Sequence, residues 1–133
     1  MKILVHLILT MHLIVTPLSS EAISNQNLQQ IKTELKRFGS CIGTEKVQVV
    51  KDVIGEDIHM ICGVALGNIS LSSQNLQAIK HCMDNTRFLV EESKFVPSEY
   101  QVFYRCKSIY PIYLSIVSGQ SGFAIKEMSF IYQ

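Results

Sequence analysis

The sequence predicts an all-α fold: a compact bundle of four to six short helices, stapled by two disulfides around an apolar core or pocket. Three observations carry that prediction. Apolar residues recur at helical spacing from Leu28 onward. Two near-identical polar-to-apolar segments, SNQNLQQIK from Ser24 and SSQNLQAIK from Ser72, share seven of nine residues and read as helix starts. Four cysteines are spread along a chain of 133 residues that is 47% hydrophobic and carries a net charge of only +1. That charge argues against an electrostatic partner such as nucleic acid.

The first segment, MKILVHLILTMHLIVTPLSSEA, is read as a signal peptide over residues 1–22. Lys2 supplies a positive start, Ile3 to Val15 an apolar run, Pro17 a break, and Ser20-Glu21-Ala22 a small-x-small cleavage pattern. The run is too short to span a bilayer. The expectation is a secreted, extracellular protein that begins near Ile23. Its organisation is then a helical domain over 23–111 and an apolar tail over 112–133.

The first helix follows Ser24 or Asn25 as its cap, with Leu28, Ile31, Leu35 and Phe38 on one stripe and Gly39 as its stop. Val47, Val50, Ile54, Ile58, Ile61 and Ala65 continue at helical steps. Gly55 divides them into helices at 44–54 and 56–66, although the β-branched run VQVV also fits a strand. Ser72 or Ser73 caps a third helix through Leu76, Ile79 and Met83. Ser98 and Gln101 form a capping box for a last helix bearing Val102, Phe103, Cys106 and Tyr110, stopped by Pro111. The tail, with IYLSIV and FAIKEMSFIY around GQSG, is compatible with a hairpin, a helix or an extended strap. For the repeat there are two accounts. Each copy opens a helix–loop–helix unit ending in a cysteine, or the match is a coincidence reinforced by capping. The second is preferred, because the similarity fades after nine residues.

Secretion makes Cys41, Cys62, Cys82 and Cys106 a disulfide framework. The intervals between them, 20, 19 and 23 residues, lack the close pairs of a zinc site, so no metal is expected. No cofactor is expected either, and no enzyme motif is present. His59 and His81 join no recognisable constellation, and Asp52, Glu56 and Asp57 read as a solvated face and turn. Asn68-Ile69-Ser70 is a glycosylation sequon on a predicted loop. The apolar excess fits an ordinary core or, in a sharper reading, a cavity between short helices. Phe38, Ile54, Ile58, Met83, Phe103 and Tyr110 are the candidate ligand-binding residues, chosen for size and place on the stripes.

Four segments give a resemblance. LKRFGSC ends a helix with a cysteine, EDIHMICGVALGNIS places a cysteine before an aliphatic run closed by glycine, NLQAIKHC leads into a third cysteine, and SEYQVFYRCKS sets aromatics before the last. In that order they resemble the helices of insect odorant-binding proteins of the reduced, four-cysteine type, over Leu28 to Lys107. The resemblance implies an all-helical, non-catalytic carrier of small hydrophobic molecules of odorant or pheromone type. It also implies the pairing Cys41–Cys62 and Cys82–Cys106. Locally, each of these bonds joins elements in the same half of the chain. The intervals before the third cysteine are shorter than that family's, and the 27 residues after Cys106 exceed its usual tail. The expected partners are a small hydrophobic molecule and a membrane receptor or host protein, and no nucleic acid. The alternative is a venom- or salivary-type effector that binds a host protein without a ligand pocket.

Overall fold

The computed structural model describes residues 23–67 and 73–132. Residues 1–22, read above as a signal peptide, and Asn68 of the sequon therefore lie outside the described residues. Among the described residues the fold is α+β, not an all-α bundle: two helices pack against one face of a seven-stranded mixed sheet.

Helix α1 (Asn25–Cys41) starts as the sequence predicts. Ser24 is extended, and its hydroxyl accepts the Asn27 N–H at 3.1 Å. Ile31, Leu35 and Phe38 face the core. Gly39 does not stop the helix, which runs two residues further to Cys41. Its carbonyl instead accepts a hydrogen bond from Lys80 Nζ at 3.0 Å, which ties α1 to α2 (Ser73–Asn85).

The predicted helices at 44–54 and 56–66 are strands: β1 (Gln48–Lys51), β2 (Asp57–Ile61) and β3 (Val64–Leu66). Gly55, at φ +86°, does not separate helices. It completes the β1–β2 turn, in which the Asp52 carboxylate accepts the Ile54 and Glu56 N–H groups at 2.9 and 2.8 Å. Cys62 and Gly63, both at positive φ, make the tight turn between β2 and β3. A short segment rich in valine and isoleucine satisfies helical and extended spacing alike, and pairing with neighbouring strands decided the outcome.

After α2 come β4 (Phe88–Glu92) and β5 (Glu99–Tyr104). The expected last helix is β5. Ser98 sits at φ +65°, which is not an N-cap conformation, and Tyr100, Val102 and Tyr104 alternate inward with period two. The tail is a hairpin of β6 (Ile112–Gly119) and β7 (Gly122–Phe130). It is not peripheral. The strand order β1-β2-β3-β7-β6-β5-β4 places it at the centre of the sheet, with β7 parallel to β3.

Leu66, Met128, Leu114 and Val102 run across the buried face on successive strands, meeting Ile31, Leu35 and Phe38 of α1 and Ile79 of α2 in a single apolar core. On the opposite face Gln101, Ser115 and Glu127 are neighbours on β5, β6 and β7. That face is polar and partly solvated, with Glu127 exposed and Ser115 buried, as is common in a largely antiparallel sheet.

The repeated segment has a structural counterpart. α1 and α2 begin at equivalent positions of SNQNLQQIK and SSQNLQAIK. Each helix is followed by three consecutive antiparallel strands, β1–β3 and β4–β6, and not by a helix–loop–helix. In each unit a helix cysteine bonds to a cysteine just past the second strand. The pairs are Cys41–Cys62 and Cys82–Cys106, with Cα separations of 6.1 and 5.5 Å. The two units run in opposite directions across the sheet, with β7 inserted between them.

Candidate functional site

The Cys82–Cys106 bond holds the end of β5 to α2, and the chain then crosses through Lys107–Pro111 to β6. Beside this crossing the chain leaves β7. The Ile131 N–H donates to the Pro111 carbonyl at 2.8 Å, which keeps the last described residues alongside Tyr110. The result is an open groove of about 680 Å³, lined by Ile109, Tyr110, Pro111, Phe130 and Tyr132, with Asn75, Lys107 and Ser108 as its polar members. That volume lies within the range of small-molecule sites.

Three rings shape the groove. Tyr110 and Tyr132 meet edge-on with centroids 4.5 Å apart, and Phe130 stands 6.0 Å from Tyr110 and 6.1 Å from Tyr132. Their planes are mutually inclined by 53° to 71°. Phe130 is buried, while Tyr110 and Tyr132 each keep 51% of their surface exposed. Such inclined pairs add about 0.5–1.5 kcal/mol beyond area burial and hold the rings in place. Lys107 is the one charged residue in the lining.

A second cavity of about 260 Å³ lies between α1, α2 and the sheet, bordered by Leu35, Met83, Phe88 and Tyr104. Burial, and then the charge of Asp84, pushes the Tyr104 hydroxyl well above its ordinary range, so it stays neutral.

The six predicted ligand residues do not converge on one place. Tyr110 lines the groove and Met83 the smaller cavity. Phe38 is fully buried in the core. Phe103 sits on the opposite face of the sheet, its ring T-shaped against Tyr113 at 5.4 Å. Ile54 is 73% exposed at the β1–β2 turn, and Ile58 is half-buried on β2. Sequence reasoning missed Phe130, Tyr132, Ile109 and Pro111. The aromatic ending FIY was the available signal, but only the hairpin brings it beside Tyr110.

Cys41, Glu45 and Cys62 place two sulfurs and a carboxylate together, but both sulfurs are consumed in the disulfide and are not thiolate ligands. Two disulfides belong to an oxidising environment such as the extracellular space. Among the described residues, no helix is long and apolar enough to cross a membrane.

Among the described residues, no further strand pairs with either edge of the sheet. Val49, Val50, Val53 and Ile54 are exposed along β1 and its turn, and Leu89, Phe95 and Val96 along the β4–β5 hairpin. The class defined by this geometry is a disulfide-stapled two-layer α+β domain with an aromatic surface groove. No family profile, curated protein or solved structure matches the chain. The all-helical architecture implied by the odorant-binding resemblance is not the architecture of this chain.

Proposed function

We propose that the chain is a secreted, non-catalytic binding protein that takes a small hydrophobic molecule in the aromatic groove. The observation that supports this reading is the clustering of three inclined rings in one concave site, clamped by the backbone bond between Ile131 and Pro111. Aromatic walls with a few polar groups at the rim are the usual composition of such sites. The candidate ligand residue that enters this reading is Tyr110. The test is a fluorescence titration with N-phenyl-1-naphthylamine, a neutral apolar probe. Saturable binding is expected, weakened at least tenfold by Tyr110→Ala in a folded variant. Unsaturable fluorescence, or equal affinity in the variant, overturns it.

A second reading, a secreted effector that docks on another protein, is supported by Leu89, Phe95 and Val96, exposed together on one hairpin. Replacing all three by serine leaves probe binding intact under the first reading and removes partner binding under the second.

A further inference from the structure

The outer strand β1 has the means to pair with itself. Among the described residues it bonds to β2 alone. The Asp52 N–H donates to the Glu56 carbonyl at 2.9 Å, which fixes the phase of the ladder. Hydrogen-bonded and non-bonded pairs alternate in an antiparallel ribbon. In the observed register Val50·Ile58 and Gln48·Met60 are therefore bonded pairs, and the N–H and C=O groups of Val49 and Lys51 point away from β2 to the open edge.

The two edges differ in how they are guarded. β4 ends in Glu91 and Glu92, both exposed, and like charges on an edge deter pairing with a second copy. β1 exposes Val49 and Val50, and its one charged residue, Lys51, is already paired with Asp57 at 2.6 Å. With its lysine held by Asp57 and no like-charged pair, β1 is the less guarded of the two edges and the side on which association is tolerated.

We propose that two copies of this chain associate antiparallel, β1 to β1, about a two-fold axis through Val49. Outward-facing groups must meet outward-facing groups, which leaves four registers, with the axis at Gln48, Val49, Val50 or Lys51, and an axis at Lys51 sets two lysines face to face. An axis at Gln48, the first residue of β1, puts half of the pairing on residues before the strand. An axis at Val50 sets Val50 against Val50 but brings no opposite charges together. An axis at Val49 sets Val49 against Val49 and places Lys46 opposite Asp52 of the other copy, twice by symmetry. Continued one step beyond either end of the strand, the alternation that puts Val50 and Ile58 on one face puts Lys46 and Asp52 on it too, with Asp52 Oδ1 held by the turn. This charge complementarity selects the register and identifies the occupant as a second copy. The two sheets then continue into one, with the helices of both copies on the same side.

The test is sedimentation equilibrium of the disulfide-intact protein over a wide concentration range at low salt. A reversible monomer–dimer equilibrium is expected. Val49→Pro deletes an outward N–H, leaves the β1–β2 bonds in place and is tolerated on an edge. It should yield a monomer with an unchanged circular dichroism spectrum. Lys46→Glu faces Asp52 with a like charge and should weaken dimerisation roughly tenfold. A wild-type protein that stays monomeric at millimolar concentration, or a Val49→Pro variant that associates like wild type, overturns the proposal. A monomeric Val49→Pro with an unaffected Lys46→Glu overturns the register. Failure of the naphthylamine titration bears only on the groove, and failure here bears only on the edge.

Discussion

Glu34 on α1 reaches the backbone of Ile125 on β7: the amide donates to its carboxylate at 3.3 Å, while Arg37 holds both carboxylate oxygens at 2.8 and 2.9 Å. A charged side chain thus ties the first helix to a central strand supplied from the other end of the chain. The hydrogen bonds from Arg37 outweigh partial burial and lower the Glu34 pKa below its ordinary value of 4.5. A depressed folded-state pKa means stability that is fully present above the unfolded value and lost as pH falls through the folded value. Glu34→Gln should cost about 1–2 kcal/mol at neutral pH. Its stability should also vary less with pH below about 4.5 than that of wild type, in urea melts recorded across the acid range.

The two disulfides should separate stability from binding. Each closes a loop of similar length, with sequence separations of 21 and 24, so removing either pair as alanines should cost about 3 kcal/mol. Only Cys106 adjoins the groove, one residue before Lys107. The Cys82→Ala/Cys106→Ala variant should therefore also lose probe affinity, and Cys41→Ala/Cys62→Ala should retain it while folded. Equal affinity in both variants would count against the anchoring role of Cys106. Non-reducing peptide mapping of wild type should give the two pairs separately.

Phe38 and Phe103 were expected to do the same thing, and their places in the fold predict different outcomes. Phe38 has no exposed surface, so Phe38→Ala should cost about 3–5 kcal/mol. Phe103 is partly exposed against Tyr113, and Phe103→Ala should cost about 1 kcal/mol. Thermal melts measure both. Neither ring lines the groove, so each folded variant should bind the naphthylamine probe as wild type does.

The reading of residues 1–22 as a signal peptide makes a prediction that α1 sharpens. Secreted protein should carry its N-terminus between Glu21 and Asn25. Because Ser24 caps the helix, the mature chain should begin no later than Ser24. Cleavage beyond it would remove a cap worth about 1 kcal/mol. N-terminal sequencing reads the answer directly, and an intact Met1 would count against processing.

The sequence by itself determined the local features. Ser24 before a stripe of Ile31, Leu35 and Phe38 specifies a capped amphipathic helix, and the second copy of the segment specifies another in the same way, because caps and helical periodicity act within a few residues. Four cysteines behind an apolar N-terminal stretch point to a disulfide framework. The tertiary structure decided what the remaining apolar segments became. EYQVFY carries a period-two pattern at Tyr100, Val102 and Tyr104, yet the same stretch offers a helical stripe and a capping box. Lying between β4 and β6 made it a strand. Val47 to Leu66 is equally ambiguous, and its place in the main sheet depends on β3 meeting β7, where Ala65 pairs with Glu127 from the far end of the chain. A helix satisfies its backbone hydrogen bonds within its own segment, whereas a strand borrows them from partners. The partner that joins β3 to the rest of the sheet is a tail whose structure the sequence left open, and that same tail supplies two of the three rings in the groove.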